Sequence, residues 1–118
     1  GNVLMELNRL PEALAALDAA IALKPDHAMA YSNRGNALRD LRRAEEALAS
    51  YDKAIALQPD YAEAYNNLGV GYEHEGQLDK ARKAYEKALE LEPNNTRIQQ
   101  NFELFKEIND RAAQKDKP

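Results

Sequence analysis

At 118 residues, 44% of them hydrophobic, the chain is long enough to bury one core and about the size of one domain. Its formal net charge of −4 is spread as mixed signs rather than blocks, which argues against nucleic acid and anionic membrane as partners, since both reward a basic patch. The absence of cysteine excludes a disulfide framework, thiol catalysis and a cysteine-based metal site, and fits the cytoplasm, the expected compartment. No apolar run approaches the ~20 residues that span a bilayer.

In chain order, Asn2 to Leu7 read as the last turns of a helix, with Asn8 as a turn residue that tolerates positive φ. A second helix is expected from about Pro11 to Leu23, with Pro11 in its first turn, where a missing N–H does no harm. Leu14, Leu17 and Ile21, with the small Ala13 and Ala20, form its inward stripe at helical spacing. Pro25, Pro59 and Pro93 each stop a helix, and Asp26, Asp60 and Asn94 follow as candidate caps. Helices are therefore predicted over 28–40, 44–57, 62–74 and 78–91. Gly35 and Gly69 fall mid-helix, where glycine costs about 1 kcal/mol against Ala, so each needs a close helix approach to justify it. Arg42 and Gly76 occupy the turn slot of Asn8, and the positive φ expected there costs more for Arg. Beyond Asn95, Ile98, Phe102, Phe105 and Ile108 predict one more amphipathic helix to about Ala113, polar on its outer face, followed by a frayed tail over 114–118.

These segments repeat. A shift of 34 residues carries Tyr31, Asn33, Gly35, Ala47, Tyr51, Ala54 and Pro59 onto Tyr65, Asn67, Gly69, Ala81, Tyr85, Ala88 and Pro93. The opposite shift carries Gly35, Ala47, Ala54 and Pro59 onto Gly1, Ala13, Ala20 and Pro25. A fixed period of this length marks a solenoid. The chain divides into a truncated first repeat at 1–27, full repeats at 28–61 and 62–95, a helix at 96–113 and the tail.

The unit Tyr65-x2-Leu68-Gly69-x2-Tyr72, with Ala81-x3-Tyr85-x2-Ala88 and Pro93, resembles the tetratricopeptide repeat. The preceding unit matches it with Arg34 where the family has Leu. The resemblance implies an all-α, right-handed solenoid of antiparallel helix hairpins with a C-terminal capping helix. It further implies a non-enzymatic module that binds an extended peptide or partner segment in a concave groove, with no cofactor.

By the same resemblance the first helix of each repeat lines that groove. Met29, Ser32, Asn33, Asn36, Arg39 and Asp40 would lie there in one repeat, and Glu63, Asn66, Asn67, Val70, Glu73 and His74 in the next. Arg97, Gln100, Asn101 and Leu104 would follow. Asn33, Asn67 and Asn101 stand one period apart, and an Asn amide can pair with both the N–H and the C=O of an extended backbone. Such asparagine ladders are familiar from the repeat arm of the O-linked N-acetylglucosamine transferases, which the string YSNRGNAL resembles; the same residues are also what an inherited, unused repeat consensus would leave. The family's carboxylate clamp for chaperone tails would fall on Ser32, Asn36, Asn67, Arg97 and Asn101, where only Arg97 of three expected cations is present.

Two other readings come from different classes. A solenoid end without a polar cap associates, so Leu14, Leu17 and Ile21 could make the chain a homo-oligomeric scaffold. The chain could also be the recruiting arm of an enzyme. Catalysis within it has little material: Ser32, Ser50, Thr96, His27 and His74 are all the hydroxyls of serine and threonine and all the imidazoles, and the histidines lie 47 residues apart.

Overall fold

Proline at a 34-residue interval sets the frame of the fold. The backbone N–H groups of His27, Tyr61 and Asn95 donate to the carbonyls of Lys24, Gln58 and Glu92 at 3.2, 3.1 and 3.2 Å, closing three equivalent reverse turns with Pro in second place. The computed structural model describes the backbone of residues 2–115 and the side chains of residues 10–109. Its helices are α1 (Asn2–Leu23), α2 (Ala28–Asp40), α3 (Ala44–Leu57), α4 (Ala62–His74), α5 (Leu78–Leu91) and α6 (Thr96–Lys115). Four of them coincide with the predicted spans. Residues 114 and 115 belong to α6, and the rest of the expected tail lies outside the described residues.

Three local expectations are corrected. The segments expected at 2–7 and 11–23 form one helix, with Pro11 inside it. Asp26 and Asp60 do not cap: α2 and α4 begin after His27 and Tyr61 with no side-chain cap bond. The Asx residues sit one position too early. In the third turn the next residue is itself an Asn, and Asn95 Oδ1 accepts from the Ile98 N–H at 3.2 Å. Ile108, expected inward, is 51% exposed, whereas Ile98 and Phe105 are buried. Steps of three residues rotate the stripe backwards, leaving Ile108 about 80° from Ile98 around the helix axis. Asn109 falls on the buried face instead and donates to the Phe105 carbonyl at 2.7 Å.

The helices pack as a solenoid. Consecutive helices lie against one another, α2 on α3 and α4 on α5 most extensively. The first helices α2, α4 and α6 also lie side by side, whereas the backbones of α1, α3 and α5 stay farther apart among the described residues and meet only through core side chains. The result is a tight inner layer and a splayed outer one. A radius of gyration of 15.5 Å, against about 13.5 Å for a globule of this length, reflects that shape.

Within each hairpin, an aromatic ring lies over a glycine. A methyl group added at Gly35 would come within 2.5 Å of the Tyr51 ring, and one at Gly69 within 3.0 Å of the Tyr85 ring. Both rings are buried, and each hydroxyl reaches back to the first helix: Tyr51 donates to Asn36 Oδ1 at 2.6 Å and Tyr85 to Glu73 Oε1 at 2.8 Å. Ala47, Ala54, Ala81 and Ala88 fill the rest of the crossing and are buried, as their repetition requires. The hairpin turns are Schellman motifs. Arg43 N–H bonds to the Leu38 carbonyl and Gln77 N–H to the Tyr72 carbonyl, with Arg42 at φ 63 and Gly76 at φ 74. Left-handed backbone costs a non-glycine residue roughly 1 kcal/mol or more, so Arg42 is strained.

Helix α1 departs from this scheme. Ala13, in the slot of the buried Ala47 and Ala81, is exposed, and Leu17 and Ile21 are half-buried. Leu14 is only 8% exposed and packs into the core with Leu38, Tyr51 and Leu68. Arg34, in place of the family's Leu, bridges the units instead of packing. It donates to Asp18 Oδ1 of α1 and to Ser50 Oγ of α3, both at 2.6 Å. At the other end, Tyr85, Phe102 and Phe105 form an aromatic cluster with centroids 5.4 to 6.3 Å apart that holds α6 against α5.

The glycine contacts give an ordered expectation. Gly35→Ala should lower the urea midpoint by the equivalent of about 1–3 kcal/mol of overpacking, less the roughly 1 kcal/mol gained in helix propensity, and Gly69→Ala should cost less. Equal, unchanged midpoints would mean that the rings give way freely. Alkaline stability offers a second check. Burial pushes the Tyr51 hydroxyl up to about 12 from its usual 10, and Tyr85 is raised as well, by burial and its bond to Glu73. A raised pKa contributes stability that is fully present below 10 and lost as pH climbs through the folded value. Helical circular dichroism under fixed mild denaturant should hold up to pH 10 and fall between 10 and about 12, with a shallower fall in Tyr51→Phe.

Candidate functional site

The inner layer leaves a shallow concavity of about 630 Å³ across α2, α4 and α6. From α2 it is lined by Asn33, Asn36 and Arg39, and from α4 by Asn66 and Asn67. Arg97 and Asn101 complete it from α6. All seven residues nominated for binding from the sequence thus share one surface, together with Met29, Ser32, Glu63 and Val70. Tyr61, at the start of α4, also contributes and was missed. Its signal was available: it stands one place before a helix whose first turn already carried the groove residue Glu63. Asp40, Glu73, His74, Gln100 and Leu104 do not line this concavity.

The asparagines are not equivalent. Asn33 is exposed. Asn67 Nδ2 donates to Ser32 Oγ at 3.0 Å, and Asn101 Nδ2 donates to Asn66 Oδ1 at 3.1 Å. Each bond reaches one repeat back, tying the first helices together. Ser32 and Asn66 are buried at 1% and 3% exposure, so each holds its partner amide from beneath the groove surface. Asn36 likewise spends its Oδ1 on the Tyr51 hydroxyl. With one N–H used in this way, the Asn67 and Asn101 amides retain a carbonyl oxygen and a second N–H for an external partner.

Charge in the groove is largely self-compensated. Arg97 pairs with Glu63 across the repeat boundary, and Arg39 Nε lies 3.8 Å from Asp40 Oδ1. The surface therefore offers amide hydrogen bonding over a small apolar area. Among the described residues no group of three or more His, Cys, Asp or Glu could hold a metal ion.

Residues 26–93 match the family model described as Tetratricopeptide repeat, and residues 1–41 match one described as TPR repeat. The chain belongs to the tetratricopeptide repeat family. No curated protein matches it significantly. Solved structures share the fold closely. The tetratricopeptide domain of Sgt2 from Aspergillus fumigatus is 25% identical over 100% of this chain and 80% of that one, with a TM-score of 0.84. The first such domain of Spaghetti (RPAP3), bound to the HSP90 peptide SRMEEVD, is 27% identical over 92% of this chain and 86% of that one, at TM-score 0.78. MamA is 32% identical at TM-score 0.77, over 89% of this chain, which spans only 61% of the MamA chain. No described helix of the present chain is long and apolar enough to cross a membrane.

The ladder geometry separates stability from exposure. Asn67→Ala and Asn101→Ala should each lower stability by about 0.5–1.5 kcal/mol, because each breaks an inter-repeat hydrogen bond. Asn33→Ala should leave the thermal midpoint unchanged. A midpoint insensitive to all three would mean that the two bonds contribute nothing.

Proposed function

We propose that this tetratricopeptide domain is a non-enzymatic protein-interaction module that holds an extended partner segment in the concave groove, with Asn33, Asn67 and Asn101 gripping its backbone. The carrying observation is that Ser32 and Asn66 hold two ladder amides in fixed orientation before any ligand arrives. Preorganised amides lose little entropy on binding, and a backbone partner needs no particular side chain. Structural neighbours bound to chaperone peptides support the interaction class. An acidic tail held by the clamp positions is a poorer fit here, because Ser32 and Asn101 stand at two of its cation slots and Arg97 is engaged by Glu63. The groove instead favours a segment of mixed charge.

Selection of a random peptide library against the domain, followed by titration of the best binder, tests this reading. The triple Asn→Ala variant should lose about one to three powers of ten in affinity, at roughly 0.5–1.5 kcal/mol per lost hydrogen bond. Asn33→Ala alone should lose about two- to tenfold with no change in stability, which separates binding from folding. Equal affinities, or binding mapped to the α3–α5 side, would remove the ladder from the function.

A further inference from the structure

A second cavity, of about 330 Å³, lies between the α2–α3 turn and the end of α4. Its floor is Ala47 and Gly71, and its rim carries Arg39, Arg42 and His74 with one carboxylate, Glu75. We propose that this cavity is an anion site that receives an acidic side chain of the segment lying in the groove. The proposal rests on the groove reading above and adds a side-chain preference to it.

Three observations converge on it. Arg42 and Arg43 are adjacent, yet only Arg43 is neutralised internally: its guanidinium forks onto Glu46 at 2.9 and 2.7 Å. Arg42 makes no ion pair or side-chain hydrogen bond among the described residues, Glu75 on the same rim included, so its guanidinium donors are unspent. Secondly, Arg42 holds that place in a left-handed backbone conformation, at φ 63, where the next repeat uses Gly76. Strain retained at a position where glycine would relieve it is a pointer to a side chain with a use. Thirdly, Arg39 lines both this cavity and the groove, so a segment in the groove can reach the cavity with one side chain. The Arg42 guanidinium fork, the terminal N–H groups of Arg39 beyond its Nε contact with Asp40, and a His74 ring N–H can all donate to a carboxylate, and charge-assisted bonds of this kind are about twice as strong as neutral ones.

The same chemistry could come from a free small anion, so the test has two arms. In the first, glutarate is titrated into the whole chain at constant ionic strength, and the arginine Nε–H resonances are followed by NMR. Saturable shifts are expected at Arg42 and Arg39. Arg42→Gly should weaken glutarate binding about tenfold or more while raising the thermal midpoint, since it removes the charge and relieves the turn. Arg42→Gln, which keeps the strained backbone, should weaken binding without the gain in stability. Shifts that do not saturate, or that match those of chloride, overturn the site. In the second arm, a random dodecapeptide library is selected against wild type and Arg42→Gly. Asp or Glu enriched at one fixed place among wild-type binders, and lost with Arg42→Gly, supports the acidic side chain as occupant. Binders with no acidic preference overturn it in favour of a free anion. Saturable glutarate binding with no peptide binders at all overturns the groove reading and the side-chain source together, while upholding the anion site.

Discussion

Contact between an aromatic ring of the second helix and a glycine of the first decides how near the two helices of a hairpin lie. At Gly35 and Tyr51, and again at Gly69 and Tyr85, the ring occupies the volume that a methyl group would need. The backbones can then approach closely, and only alanine fits at the flanking positions Ala47, Ala54, Ala81 and Ala88. Each tyrosine is also tied to the first helix through its hydroxyl, so the ring both sets the spacing and fixes the register. Burying a phenol is tolerable only because it finds that acceptor.

Hairpins of this fixed shape stack with their first helices in contact, and from this follow both the groove and its chemistry. Residues at a 35-residue separation, Ser32 with Asn67 and Asn66 with Asn101, come within hydrogen-bond distance across the repeat boundary. A slot that faces the groove is thereby coupled to a buried slot in the unit before it. The Arg97–Glu63 pair spans the same boundary and removes net charge from the surface. The concave face is consequently also part of what holds the units in line, and Asn33 alone of the three ladder residues stands outside those bonds.

Two neighbours of the same fold are solved with HSP90 and HSP70 peptides bound. Here the cation that survives in the groove is spoken for. Arg42, which makes no ion pair among the described residues, lies at the hairpin turn, beside a cavity that shares Arg39 with the groove. Groove charge can change without altering the packing beneath, because the core is built from Ala, Leu, Ile, Phe and Tyr side chains that the groove residues do not replace.

Repetition made most of the fold legible from the chain. Gly, Ala, Tyr and Pro at a 34-residue interval are physical constraints on local geometry, and α2, α3, α4 and α5 begin and end where that interval places them. The seven groove residues were legible for the same reason, since a slot facing one side in one repeat faces it in the next. What lacked a repeated counterpart was decided only in three dimensions. Helix α1 runs on through Asn8 and Pro11, and Leu14 is buried by α2 and the core beyond it. Ile108 faces outward because α6 meets neighbours on one side only. The internal partners of Asn67, Asn101 and Arg34, and the lack of a side-chain partner for Arg42 among the described residues, are likewise tertiary facts. They depend on distances between residues far apart in the chain, which periodicity orders but does not measure.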